Sequence, residues 1–228
     1  MATENPKLAG SKIIDCIPQT GECPMGCPEC FYNGGRFYRT LDEPLIPTLK
    51  EALGKIVRVN SGHDSNIDTD AVLKATAHYD HAFFNTSFPC FDFPGPVVFT
   101  CNGKKATFID ECPPNLMFVR IRTNTWGLDV QDELVDWYAA RGVPIVMTFM
   151  RYYDEAAIPE DCLPDYSWRE HILNSYYCPT GRAQQRIMSA YKGEGVRMCG
   201  TPWSSLCVDC RNCEFLYWDC LRRMEAAR

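Results

Sequence analysis

Cys23, Cys27 and Cys30 stand in the run Gly21–Tyr32, G-E-C-P-M-G-C-P-E-C-F-Y, with the spacing C-x3-C-x2-C. Three thiolates so placed can hold three irons of a cubane iron–sulfur cluster, which leaves the fourth iron without a protein ligand. An open metal position of that kind is where substrate chemistry takes place. A structural zinc site closes its shell with four ligands. Here no fourth Cys or His follows at close spacing, although Cys16 lies upstream. A second group lies toward the other end of the chain. Cys207, Cys210 and Cys213 form a ferredoxin-type C-x2-C-x2-C run, and Cys199 or Cys220 can complete a set of four. Thiolates bind iron–sulfur clusters and zinc alike, so either a second 4Fe–4S cluster or a zinc ion is expected there. Cys90, Cys101, Cys112, Cys162 and Cys178 read as small buried apolar residues.

The chain around these groups has 228 residues, 14 of them cysteine, and a hydrophobic fraction of 46%, enough for one sizeable core. Cysteines two or three residues apart converge on a metal more easily than they form a disulfide framework. Met1–Gly10 lacks the apolar core of an export signal, and no apolar run reaches membrane-spanning length. A cytoplasmic location without membrane contact is therefore expected. The net charge of -6 argues against nucleic acid as a partner, because that binding needs a positive field.

The elements that would position the cysteines can be read from periodicity. Ser11–Ile17 reads as a short strand, followed by a loop rich in Pro, Gly and Cys. Pro44–Gly54 carries Leu45, Leu49 and Leu53 at helical spacing before a closing glycine. The β-branched run Lys55–Asn60 reads as a strand, and a helix is expected from Asp68 to about Tyr79. His81–Thr86, Pro96–Cys101, Asn115–Arg122 and Val143–Met150 read as further strands. Val130–Arg141, closed by Gly142, is the clearest helix. This alternation implies βαβ units and a largely parallel sheet. The expected fold is α/β, a partial (βα)6 TIM-like barrel over residues 1–153 with a cysteine-rich C-terminal extension over 154–228. The connections at 88–94 and 103–114 are too short or irregular for full helices, and no strand is expected beyond Asp154.

Polar residues gather where these strands end. The turn after the second holds Ser61, Gly62 and Asp64, the third ends in Asn85-Thr86-Ser87, and the fifth carries Arg120 and Arg122. Arg122 shares a face with Asn124 by the two-residue period. In parallel sheets such carboxyl ends line the ligand crevice.

The C-x3-C-x2-C loop directly after the first strand resembles the radical S-adenosylmethionine superfamily, over roughly Ser11–Met150. The resemblance implies a 4Fe–4S cluster on Cys23, Cys27 and Cys30 whose open iron is chelated by S-adenosylmethionine. It implies reductive cleavage of that cofactor to methionine and a 5′-deoxyadenosyl radical, which takes hydrogen from a substrate. An electron donor such as flavodoxin or ferredoxin is then an expected partner, with a small molecule or peptide as substrate. The family commonly has an aromatic residue just before the third cysteine. Here that place is Glu29, and Phe31 and Tyr32 follow it, so the contact near the adenine is expected from them. The family often has a Gly-Gly-Glu-like turn after the second strand, which Ser61, Gly62 and Asp64 would replace in receiving the cofactor's amino group. Asn85 and Ser87 would reach the ribose and methionyl groups. Arg122 would pair with the methionyl carboxylate. Many members carry an auxiliary cluster in a C-terminal extension, which Cys199, Cys207, Cys210, Cys213 and Cys220 would fit. The competing expectation is a non-catalytic zinc or iron–sulfur module for partner binding or electron transfer.

Overall fold

The computed structural model describes residues 5–27, 43–101, 107–170, 175–193 and 195–227. Its strands are β1 (Ile13–Cys16), β2 (Ile56–Val59), β3 (Ala82–Thr86), β4 (Val97–Cys101), β5 (Leu116–Thr123), β6 (Ile145–Phe149), β7 (Tyr166–Arg169), β8 (Tyr176–Pro179) and β9 (Val196–Met198). Its α-helices are α1 (Leu49–Ala52), α2 (Thr69–Thr76), α3 (Leu128–Ala139), α4 (Gly181–Ala190), α5 (Cys207–Cys210) and α6 (Asn212–Ala226).

Seven strands form one parallel sheet in the order β1-β2-β3-β4-β5-β6-β9, curled into a half-barrel, and β7 pairs antiparallel with β8. The expected parallel α/β architecture is thus present, built on the six strands read from the sequence. No helix bridges β3 to β4, and the described residues 107–115 before β5 are also non-helical. The stretch after Asp154, read as free of strands, supplies β7, β8 and β9. Strand β9 is short and mostly unburied, so it carries little of the apolar alternation by which strands are recognised.

Alternation along each strand sorts the core into two layers. On one face Cys16, Val57, Val59 and Phe84 pack with Val72 of α2. On the same face Phe99, Val119, Ile121, Ile145 and Met147 pack with Leu134, Val135 and Tyr138 of α3, joined by Ile187 and Tyr191. On the opposite, concave face Ile13, Ile56, Phe83, Val98, Phe118 and Val146 pack against Leu216, Tyr217 and Cys220 of α6. Each of these strand residues is among the first three of its strand, so α6 floors the half-barrel at its amino-terminal end. The Arg223 guanidinium fixes the helix there by donating to the Leu116 and Met117 carbonyls, both at 3.1 Å. The two halves of the chain therefore share both apolar layers.

The helix expected over Pro44–Gly54 shrinks to the single turn α1. Thr48 caps it, with its hydroxyl accepting from the Glu51 N–H and the Glu51 carboxylate accepting from the Thr48 N–H. Its leucine spacing does not mark a core face, since Leu49 is 62% and Leu53 82% exposed. Among the described residues no helix is long and apolar enough to cross a membrane.

Candidate functional site

The same alternation that floors the barrel with apolar residues puts a polar belt above them. Asp15, Arg58, Asn85, Thr100, Arg120, Arg122 and Thr148 follow the floor residues by two or four positions along their strands, so they share the concave face. The belt is partly self-satisfied. The Arg58 Nε donates to Asp15 Oδ1 at 2.6 Å and its Nη2 to Oδ2 at 3.1 Å, with Asp15 buried and Arg58 half-buried. Arg120 donates to the Thr100 hydroxyl at 3.3 Å, and Arg122 Nε to the Met150 sulfur at 3.2 Å. Two buried acceptors are left over. Asn85 donates its amide to the Val59 carbonyl at 2.7 Å, but its Oδ1 has no partner among the described residues, and neither has Thr148 Oγ1. A buried polar atom without a partner costs about 1–3 kcal/mol, so such atoms mark places where a ligand or water can bind.

The first cysteine loop leaves the carboxyl end of β1 at the rim of this belt. Cys23 and Cys27 are half-buried there, while Cys30, Phe31 and Tyr32 lie outside the described residues. The turn after β2 is held against the loop. The His63 Nε2–H donates to the Gly21 carbonyl at 2.9 Å, and Gln19 donates to the Ile67 carbonyl at 2.8 Å and the Asp64 carbonyl at 3.3 Å. Ser61 and Gly62 are half-buried in that turn, next to Asn60, whose φ of 57° places it in the left-handed region. Two parts of the chain that sequence spacing singled out, the Cys23–Cys27 loop and the Ser61–Asp64 turn, are therefore neighbours. Gln19 and His63, which join them, carried no recognisable spacing of their own.

Asp64 uses its carboxylate inside this arrangement. Oδ1 accepts from the Thr86 hydroxyl at 2.8 Å and the Asn66 N–H at 3.0 Å, and Oδ2 accepts from the Ser87 N–H at 2.5 Å. The bonds tie the turn after β2 to the end of β3, so Ser87 meets Asp64 directly. Asp64→Ala should lower stability by about 1.5–3 kcal/mol, the value of hydrogen bonds to a charged group, read from the urea unfolding midpoint. A midpoint equal to the parent's would remove this tie from the account of the site.

The second cysteine group lies elsewhere. Cys199, Cys207, Cys210 and Cys213 line one cavity of about 320 Å³, together with Ile13, Arg58, Phe118, Arg120 and Val146. It opens above the floor, between the β1–β2 and β5–β6 sides of the half-barrel. Cys199 is carried there because its N–H continues the sheet by donating to the Met147 carbonyl at 2.7 Å. Asn212 Nδ2 donates to the Met198 carbonyl at 2.7 Å and brings the start of α6 to the same edge. Cys220 points away, buried in the floor with its thiol toward the Pro114 carbonyl at 3.6 Å. Burial pushes the Cys213 thiol up to about 12 and raises Cys207 as well, with Arg58 pulling against burial at both. Burial, and then the charge of Arg151, lowers Lys7 to about 8. Among the described residues no three His, Cys, Asp or Glu side chains stand close enough together to hold a single metal ion.

Among the cysteines read as buried apolar residues, Cys101 and Cys178 are buried, Cys112 and Cys162 are half-buried, and Cys90 is exposed. No protein-family model, no curated protein and no solved structure matches this chain.

Proposed function

We propose that the chain is a radical S-adenosylmethionine enzyme whose cofactor binds on the concave face, at the carboxyl ends of the parallel strands. The observation that carries this reading is the contact between the Cys23–Cys27 loop and the Ser61–Asp64 turn through His63 and Gln19, at the rim of a partly buried polar belt. Such a rim is where parallel α/β sheets bind small molecules. The donor set also fits the cofactor. Thiols suit an iron–sulfur cluster, Arg122 offers a cation for a carboxylate, and Asn85 Oδ1 and Thr148 Oγ1 are buried acceptors that still want donors.

When bound and reduced, the cluster supplies the electron that cleaves S-adenosylmethionine to methionine and a 5′-deoxyadenosyl radical. The chain's own part is to hold the methionyl group, orient the ribose and keep water from the reacting centre. Flavodoxin or ferredoxin would serve as electron donor, and a small molecule or peptide as substrate.

The test is anaerobic reconstitution with iron and sulfide, then dithionite and S-adenosylmethionine, with 5′-deoxyadenosine read by mass spectrometry. A cluster-loaded protein that forms none would defeat the reading, and a colourless zinc protein would favour a binding module. Arg122→Ala should keep the parent's iron content and bind S-adenosylmethionine ~10-fold or more weaker, corresponding to a charge-assisted contact of about 1.5–3 kcal/mol. Anaerobic equilibrium dialysis checks this, and unchanged affinity would remove Arg122 from the cofactor site.

A further inference from the structure

The concave face carries more positive charge than its own carboxylates meet. The cavity of about 320 Å³ above the α6 floor is lined by Lys12, Arg58, Arg120 and Arg211, and among the described residues Glu214 is the one acidic side chain in its wall. Two of these cations are answered. Arg58 holds Asp15 at 2.6 Å, and Arg211 holds both oxygens of Glu214, at 3.1 and 3.2 Å. Arg120 is not answered. Among the described residues it has no carboxylate within ion-pair distance, and its N–H groups reach only the Thr100 hydroxyl, at 3.3 Å. Its guanidinium stands 5.7 Å from the centre of the Phe118 ring. Further cations stand near. Arg122 shares the face, and Lys7 lies within electrostatic reach of Arg151 and Arg58. Burial pulls Arg120 below its ordinary pKa and the charges of Arg58 and Arg122 act in the same direction, with Cys213 and Cys199 acting against them. A cation set inside a protein without a carboxylate calls for an anionic neighbour.

We infer that this cavity binds a small organic anion whose carboxylate or phosphate group pairs with Arg120, and that this anion is the substrate of the proposed reaction. Its place in a reaction rests on the proposed function; its binding does not. Depth separates the anion from the cofactor. Arg122 is the cation offered to the methionyl carboxylate, and Arg120 lies about 7 Å deeper along β5, too far for one carboxylate to meet both. The size fits a small molecule, since ligand pockets begin at about 300 Å³. Ile13, Phe118 and Val146 give it an apolar wall beside the cation. An apolar lining with a few polar groups that fix orientation is the usual make-up of such sites. A guanidinium presents paired N–H groups that match a carboxylate or a phosphate. A neutral ligand would leave Arg120 as unmet as before, and a cationic one would add repulsion.

The test measures thermal unfolding midpoints of the parent and of Arg120→Gln, both purified anaerobically so that any metal on the lining cysteines stays in place. Benzoate and phenyl phosphate are the anionic probes, and benzamide is the neutral control, all at equal ionic strength. At a saturating concentration, benzoate or phenyl phosphate should raise the parent's midpoint by about 2–4 °C, and benzamide should not. Which of the two probes acts more strongly tells a carboxylate ligand from a phosphate. Arg120→Gln should lose the shift. Should that variant fail to fold, Arg120→Met, which keeps the length of the side chain, takes its place. A shift undiminished in the variant would overturn the inference, and so would equal shifts from benzamide and benzoate. No shift from either anion would do the same, and is the result expected if a metal–thiolate centre is the anion that Arg120 faces. The two readings fail separately. A protein that responds to the anion through Arg120 but forms no 5′-deoxyadenosine keeps the binding site and loses the reaction. One that forms 5′-deoxyadenosine without responding to either probe keeps the reaction and loses the site.

Discussion

Alanine at Cys23 or at Cys27 is expected to abolish 5′-deoxyadenosine formation. A three-thiolate site has no spare ligand, so removing one costs more than the ~10–100-fold that follows loss of an outer-shell partner. Neither residue lies in the apolar layers, so both variants should keep the parent's circular dichroism and unfolding midpoint. The control is Cys90→Ala. Cys90 is exposed on the connection between β3 and β4, and among the described residues only its carbonyl is used, accepting from Asn66 Nδ2 at 3.1 Å. That variant should form product at the parent's rate. Anaerobic product assay by mass spectrometry reads all three proteins. Undiminished 5′-deoxyadenosine from either the Cys23 or the Cys27 variant would end the radical S-adenosylmethionine reading.

Asp15→Ala should be the most damaging single substitution for the fold, at a cost of about 3–5 kcal/mol. Asp15 and Arg58 are register partners on β1 and β2, and their side chains are only 3% and 12% exposed. Two N–H groups of the guanidinium meet the two carboxylate oxygens, and Asn5 Nδ2 adds a third contact at 3.3 Å. Removing the carboxylate alone strands a buried guanidinium above the apolar floor. Against a total stability of about 5–15 kcal/mol that is a large share. The double variant Asp15→Leu with Arg58→Met should recover most of the loss, because it leaves no unpaired charge and keeps the volume. Urea unfolding of the three proteins measures the difference. Equal losses in the single and double variants would show that packing, rather than the stranded charge, sets the cost.

The parts of this protein that could be read from the chain are those whose signal is local. Runs such as Lys55–Asn60 and Val143–Met150 are apolar enough to be strands wherever they lie, and β2 and β6 form within them. Val130–Arg141 repeats its apolar residues at helical period, and α3 overlaps it over Val130–Ala139. The same reasoning failed at Leu49 and Leu53, whose spacing is helical but whose side chains stay exposed. Periodicity shows that a face exists without showing what covers it.

Residue type and spacing alone separated the two cysteine groups, and parallel strands followed from the alternation of elements. The tertiary structure decided which cysteines share a space. In sequence Cys220 is seven residues from Cys213 and Cys199 is fourteen, yet Cys199 lines the cavity and Cys220 packs into the floor. Chain distance could not choose between them, because Cys199 reaches its place by extending a sheet edge 52 residues removed from it, at Met147. Asp64 is a similar case: its type suggested a ligand contact, and the fold brought Thr86 and Ser87 to its carboxylate. Long-range pairings of this kind arise only when the strands assemble, so no short window of sequence contains them.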